Sequence, residues 1–335
     1  MQKILLLGKN GMLGQAIVEK FKVQSSHPAG DYPKGEKFKI IALGRQDLDI
    51  TKKSQVIKKI SEIKPDLVIN ATGYTDVDGA ESERQKAFAV NGDAVGYIAQ
   101  ACSQIGASFI HFSTDYVFDG SRAHGYEEDD LEHLGPLNVY GESKLIGEEN
   151  VKIQISNVKS NPNLKCQKFF IIRTSWLYGA GGKNFVDAML KRAIDGQTQF
   201  KVVNDQFGLP TYTRDLAERV LWMVDEIEQL ESGIYHITNS KLKIQKSKLQ
   251  LKIKNYNHRE QEPDGISWFV FAQEIFKIAK ELGILSKLPN VKPCTSDEFP
   301  RPARRPKYGA LINTKLPDMR EWKIALTEFL ISNQF

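Results

Sequence analysis

The chain has 335 residues, 41% hydrophobic and 26% charged, the balance of an ordinary globular enzyme with a large buried core. Its longest clean apolar runs, Ile4–Leu7 and Phe169–Ile172, fall far short of the roughly 20 residues that cross a bilayer, so no membrane span is expected. The formal charge is only +5, and much of it sits in the lysine-dense segment Lys241–Lys254; with only Tyr256 close by to stack on a base, this reads as a solvated loop and nucleic acid is not an expected partner.

Met1 leads directly into a strand-like run, without the charged region and cleavage site of a signal peptide, so a cytoplasmic location is expected. Cys102, Cys166 and Cys294 are odd in number and form no C-x-x-C pair, which predicts core residues rather than disulfides or structural zinc. The six histidines show no H-E-x-x-H spacing, and no metal is expected.

In chain order, β-branched runs at Lys3–Leu7, Lys39–Leu43, Asp66–Asn70, Ser108–Phe112 and Phe169–Arg173 predict strands. Helical periodicity falls between most of them, at Met12–Phe21, Lys52–Ile63, Ser82–Gln104 and Ser143–Ile155. Such alternation predicts an α/β fold, a Rossmann-type doubly wound parallel sheet. Gln24–Glu36, with its Pro, Gly and Ser, reads as an enlarged surface loop. Beyond Arg173 the pieces shorten: helices near Asn184–Ile194 and Thr213–Leu230, a strand at Ile234–Ile237, the basic insertion, a helix at Ser267–Leu282, a Pro- and Arg-rich loop from Pro289 to Pro306, and a terminal helix. The predicted division is a dinucleotide-binding domain of residues 1–174 and 213–238 and a smaller C-terminal substrate-binding lobe of residues 175–212 and 239–335.

Gly8-Lys9-Asn10-Gly11-Met12-Leu13-Gly14 follows the first strand and opens the first helix. Glycines there permit a tight turn and bring a helix N-terminus close to a pyrophosphate. At the tip of the second strand stands Gly44-Arg45, where an NAD-specific enzyme usually carries an acid for the ribose hydroxyls. Arg45 can pair with a 2′-phosphate, which favours NADPH and leaves NADH as the alternative; it can equally be a plain surface arginine.

Tyr140-Gly141-Glu142-Ser143-Lys144 sets a phenol and an ammonium four residues apart at a helix start, on one face. A cation near a tyrosine stabilises the phenolate and eases proton exchange near neutral pH. A ketone reductase needs such a donor for the oxygen that becomes anionic as hydride arrives. Thr114, at the C-terminal end of the fourth strand, is placed to hydrogen-bond the same oxygen. Thr114, Tyr140 and Lys144 are therefore the candidate catalytic residues.

These motifs resemble the extended short-chain dehydrogenase/reductases and, within them, the dTDP-4-dehydrorhamnose reductase family. The likeness runs through Asn70–Asp78, Ala80–Glu83, Ser113–Phe118, Pro136–Gly141, Arg173–Trp176, Asn204–Thr211 and Arg301–Pro306. It implies reduction of the C4 keto group of dTDP-4-dehydro-L-rhamnose to dTDP-L-rhamnose by a nicotinamide cofactor. It also implies cofactor contacts at Gly8, Gly11, Met12, Leu13, Asp49, Ile50, Ala71, Thr72, Gly73, Tyr140 and Lys144, to which the glycine motif adds Gly14. Thr75, Val77, Thr114, Tyr116, Tyr140 and Trp176 would meet the nucleotide sugar, although Trp176 can also be core and Asn204–Thr211 a structural turn. Arg304 and Arg305 are divided between diphosphate contact and internal salt bridges.

Some members of the family hold magnesium at a dimer interface through a first-helix glutamate; Ala16 stands at the matching position here, so no such metal is expected and a homodimer is left open. The insertion 239–265 has no counterpart in the pattern. Two rival functions remain: a nucleotide-sugar epimerase or dehydratase with bound NAD, and a non-catalytic subunit resembling the methionine adenosyltransferase regulatory β subunit. A dehydratase typically places an acid after the Thr-Asp pair, where this chain has Tyr116, and the intact Thr114, Tyr140 and Lys144 favour catalysis.

Overall fold

The computed structural model describes residues 2–25, 38–160, 167–241, 263–333 and 335. Five strands, β1 (Gln2–Leu7), β2 (Phe38–Leu43), β3 (Leu67–Asn70), β4 (Ser108–Thr114) and β5 (Phe169–Thr174), match the predicted runs to within two residues at each end. They form one parallel sheet ordered β2-β1-β3-β4-β5, to which a strand at Gly233–His236 adds beside β5.

Alternation along β1 shows why the sheet is wound on both faces. Ile4 and Leu6 join a core with α1 (Met12–Ser25) and with Leu216, Val220 and Val224 of a later helix. Leu5 and Leu7 point into a second core, with Val56 and Ile60 of α2 (Lys53–Ile63) and Val95 and Ile98 of a longer helix. Successive side chains of a strand face opposite ways, so a continuous apolar run is stable only when both faces are covered.

The helix predicted at Ser82–Gln104 is a broken one. A short α3 (Val77–Ser82), capped by the Asp76 carboxylate on the Gly79 N–H at 2.9 Å, precedes α4 (Arg84–Phe88). A π turn at Ala89–Asp93 then leads into α5 (Ala94–Ile105). Helix α6 (Val139–Ser160) starts four residues earlier than periodicity suggested, which puts Tyr140 inside it. Gln24 and Ser25 continue α1; the rest of the proposed loop, Cys166 and nearly all of the basic insertion lie outside the described residues.

The remaining chain alternates between a smaller lobe and the main sheet. It runs through β6 (Leu177–Tyr178), α7 (Phe185–Ile194), β7 (Gln199–Val203), β8 (Phe207–Gly208) and β9 (Thr211–Tyr212). It returns through α8 (Thr213–Asp225), which packs on α1, and β10 (Gly233–His236). It leaves again through β11 (Ile266–Ser267), α9 (Trp268–Glu281), β12 (Asn290–Cys294) and α10 (Trp322–Ser332). The lobe has its own core of Val186, Leu190, Phe271, Ile275, Phe276, Trp322 and Phe329. β7 pairs with β12 in parallel. Cys102 and Cys294 are buried and free, and no helix among the described residues is long and apolar enough to cross a membrane.

Candidate active site

The chain runs from β1 to β2 on one side and then back across β1 to β3 on the other, so the winding reverses at β1 and a crevice opens at the carboxyl ends of the strands. The glycine loop forms one wall. Gly8 has φ +93°, a conformation side chains rarely adopt, and a Cβ there would lie 2.6 Å from the Ala71 carbonyl oxygen. A Cβ on Gly14 would lie 2.1 Å from the Gly8 carbonyl oxygen, so α1 can start this close to the loop only without a side chain. Gly11 differs: it is exposed, and a Cβ there would meet only the Gly8 oxygen at an ordinary 3.5 Å. The first and third glycines answer to the fold, and the second leaves open space over the helix N-terminus, a cradle that fits a dinucleotide pyrophosphate.

Ala71, Thr72 and Gly73 continue from β3 across the crevice, with the Asn70 carboxamide accepting from both the Thr72 N–H and its hydroxyl. Met12 and Gly73 border the opening, whereas Leu13 packs into the sheet core. At the tip of β2, Arg45 is exposed and Asp49 accepts from Thr51, next to the half-buried Ile50. Sequence reasoning missed an acid here: Asp47 accepts from the Gly44 N–H at 2.8 Å and pairs with Lys9 of the glycine loop at 2.7 Å.

Thr114 ends β4, and α6 crosses beside it. The approach is close because Gly141 has no side chain: a Cβ there would fall 2.2 Å from the Tyr116 carbonyl oxygen. Tyr140 thereby meets Tyr116 edge-on, with ring centroids 5.5 Å apart. The Thr114 hydroxyl donates to Asp115 at 2.9 Å and accepts from the Tyr116 N–H at 3.2 Å. Burial pushes the Tyr140 phenol well above its usual range, with the Thr114 hydroxyl pulling it back. Burial likewise pulls the Lys144 ammonium down to about 8, and it donates to the Phe112 carbonyl at 3.0 Å. The expected direct stabilisation of the phenolate by Lys144 is thus not the dominant influence on Tyr140 in this arrangement; burial is. Lys144 sits 3.3 Å from where a Cβ on Gly73 would stand, so cofactor wall and catalytic helix converge.

Of the residues proposed to meet substrate, Thr75 is exposed at the crevice rim and Val77 opens α3. Arg305 is committed to Asp78 of α3 by two contacts, at 2.5 and 2.9 Å, the internal salt bridge of the two uses foreseen for it. Arg304 is exposed and lines a cleft of about 490 Å³ where Arg301, Arg305 and Lys307 stand with it against Asp205 and Asp297, a net cationic setting suited to a diphosphate. Trp176, at φ 47°, stacks on Trp268 with centroids 3.5 Å apart and so has a packing role in the lobe. Asn204 and Asp205 accept from Ser267 and Ser296, which is the structural turn considered for that motif.

The RmlD substrate binding domain model matches residues 1–334. A dTDP-4-dehydrorhamnose reductase of Streptomyces griseus is 35% identical over 331 residues, 97% of this chain and 91% of that protein. The chain belongs to the dTDP-4-dehydrorhamnose reductase family. The crystal structure of a family member from Clostridium acetobutylicum superposes with a TM-score of 0.78 at 36% identity, covering 98% of this chain and 99% of that one. A Bacillus anthracis dTDP-4-dehydrorhamnose reductase, solved in complex with NADP, gives 0.77 at 32% identity, with 99% of each chain covered.

Three further groups in this family member escaped the sequence reading. Asp115 is buried against Thr114, and burial pushes its carboxyl up to about 7. Asn91, at the π turn, accepts from the Tyr74 N–H and donates to the Tyr74 carbonyl and the Ser143 hydroxyl, tying the Gly73 loop to α6. Glu148 and Arg173 form a fully buried pair behind Lys144. An i,i+4 Lys-Glu spacing on a buried helix was the available signal for Glu148; the partners of Asp115 and Asn91 left no mark in spacing.

Proposed function

We propose that this chain is an NAD(P)H-dependent oxidoreductase that reduces the C4 keto group of dTDP-4-dehydro-L-rhamnose to dTDP-L-rhamnose, with NADPH preferred and NADH the alternative. The observation that carries this is the convergence of Thr114, Tyr140 and Lys144 with the Gly73 wall at the carboxyl edge of the sheet, in a chain of this family. A bound reduced nicotinamide supplies the hydride. Tyr140 then gives its phenolic proton to the oxygen that becomes anionic. Thr114 holds that oxygen by turning its hydroxyl from Asp115. Lys144 supplies a fixed positive charge in a buried site where charge is weakly screened. The bordering Gly8, Gly11, Met12, Gly14, Ala71, Thr72 and Gly73 would hold the cofactor, and Thr75, Val77, Tyr116, Trp176 and Arg304 the nucleotide sugar.

NADPH preference is supported by Arg45, exposed at the tip of β2 where the Asp47 carboxylate is already taken up by Lys9. The test is an assay with dTDP-4-dehydro-L-rhamnose: reduced cofactor should be consumed mole for mole with substrate. Substrate converted with no net loss of cofactor would transfer the chain to the epimerase or dehydratase class, and binding without turnover to the regulatory one.

A further inference from the structure

Behind the catalytic face lies a line of three buried charges. Lys144 and Glu148 are four residues apart on α6, hence on one face, and both side chains are buried. Glu148 accepts from Arg173 of β5 through two bonds, Nε to Oε1 at 2.9 Å and Nη2 to Oε2 at 2.7 Å, with neither side chain exposed to water. Arg173 also lies over the Phe118 ring at 4.8 Å, which fixes its plane. An ammonium as buried as Lys144 tends to lose its proton unless an opposite charge compensates, and the Glu148 carboxylate, held by two bonds from Arg173 of β5, supplies such a charge without freedom to drift.

We propose that Glu148 is a positioning residue for the reduction, the fixed counter-charge that keeps Lys144 protonated, with Arg173 limiting how strongly it acts; this rests on the function proposed above. Among the described residues, the charged or titratable groups around Lys144 are Tyr140 and Glu148, each four residues away on α6, Arg173 of β5 beyond Glu148, and His111 of β4, which burial and Lys144 keep neutral. Gly73 and Asn91 border the same space and carry no charge. Glu148 is therefore the carboxylate whose attraction raises the Lys144 ammonium, against the burial that lowers it. Arg173 holds the Glu148 carboxyl below its usual range although burial alone would raise it, so the counter-charge persists across the working pH range.

The test is kcat against pH for wild type, Glu148→Gln, Glu148→Asp and the double variant Glu148→Gln/Arg173→Met, with folding checked by circular dichroism and NADPH affinity titrated over the same pH range. Glu148→Gln should move the basic limb to lower pH by about one unit, the size of effect an adjacent opposite charge has. Glu148→Asp should leave the limb near that of wild type. The double variant, which removes the attraction and the repulsion together, should fall between wild type and Glu148→Gln. Damage that is merely structural would lower the plateau and leave the limb where it is, and that result in folded Glu148→Gln would overturn the proposal. If Glu148→Gln does not fold, the double variant decides: a limb below the wild-type one supports the counter-charge, and an unmoved limb refutes it. Failure of the wild-type chain to reduce the keto sugar would count against the proposed function instead, and the limb is then read in NADPH affinity, with the same outcomes deciding.

Discussion

Removing a single oxygen at Tyr140 isolates the chemistry most cleanly. Tyr140→Phe should fold and bind NADPH yet lose on the order of 10²–10⁴ in kcat, or roughly 3–5 kcal/mol of transition-state stabilisation. Lys144→Met should cost as much and weaken cofactor binding as well, while Thr114→Val should be milder; steady-state kinetics would show the order. Retention of more than about a tenth of the rate by Tyr140→Phe, less than the weak end expected for a general acid, would move the proton donor elsewhere. Asp115 makes a pH prediction. Its carboxyl stands at about 7 in the folded chain against an ordinary 3.8, so the folded state keeps a proton that the unfolded state has lost between those values. Its stabilising contribution is present at low pH and lost as pH rises through 7. Asp115→Asn should therefore raise Tm relative to wild type by more at pH 8 than at pH 5; an equal change at both would contradict the buried, raised carboxyl. Arg45→Ala should weaken NADPH selectively in a comparison of KM for the two cofactors, and equal effects on both would remove Arg45 from cofactor choice. The shared helix of Tyr140 and Lys144 was legible because residues four apart lie on one helix face. Asp78 was not seen as the partner of Arg305, 227 residues away, because long-range pairing has no local pattern.

The glycine loop and the crossing of α6 decide whether the site can assemble. Gly14→Ala should destabilise the fold by about 1–3 kcal/mol, the usual cost of forcing extra volume into a packed contact, since its Cβ would press on the Gly8 carbonyl. Gly11→Ala should leave Tm nearly unchanged and weaken NADPH, because the space it fills is open. Thermal melts beside cofactor titrations separate the two, and identical behaviour would mean that neither glycine has the role assigned. Strands β1 to β5 and helices α1, α2 and α6 were readable because burial on two faces leaves continuous apolar runs and helices keep their period. The π turn at Ala89–Asp93 was not, because apolar residues there still recur at nearly helical spacing; what requires it is Asn91, whose carboxamide spans Tyr74 and Ser143. The start of α6 was placed late because Val139–Glu142 offers little periodic signal, while the Asn138 carboxamide accepting from the Gly141 N–H shapes that first turn.

Across the whole molecule, the main sheet and the smaller lobe are interleaved in sequence and joined by polar clamps. Arg320, ahead of the terminal helix, holds Asp215 of α8 through two bonds, at 2.8 and 2.6 Å, and Asn239 donates to the same carboxylate at 2.6 Å. The late strand expected at Ile234–Ile237 adds to the main sheet as β10 beside β5, a place that carries no local signal because sheet order depends on which edge is open. The ends of the basic insertion are held together by the Lys241 ammonium on the Pro263 carbonyl at 3.1 Å. Shortening residues 242–254, which keeps that contact, should accordingly leave kcat within about twofold, a change of less than 1 kcal/mol in the barrier; a folded but inactive product would make the segment part of the site. In the proposed reaction a hydride passes from cofactor to sugar. The direct measurement is reaction of dTDP-4-dehydro-L-rhamnose with NADPH deuterated at the transferring position of the nicotinamide, followed by mass spectrometry and NMR of the product. One deuterium at C4 of the rhamnose for each NADPH oxidised is the result expected. Product without the label, or unchanged NADPH beside converted sugar, would contradict it.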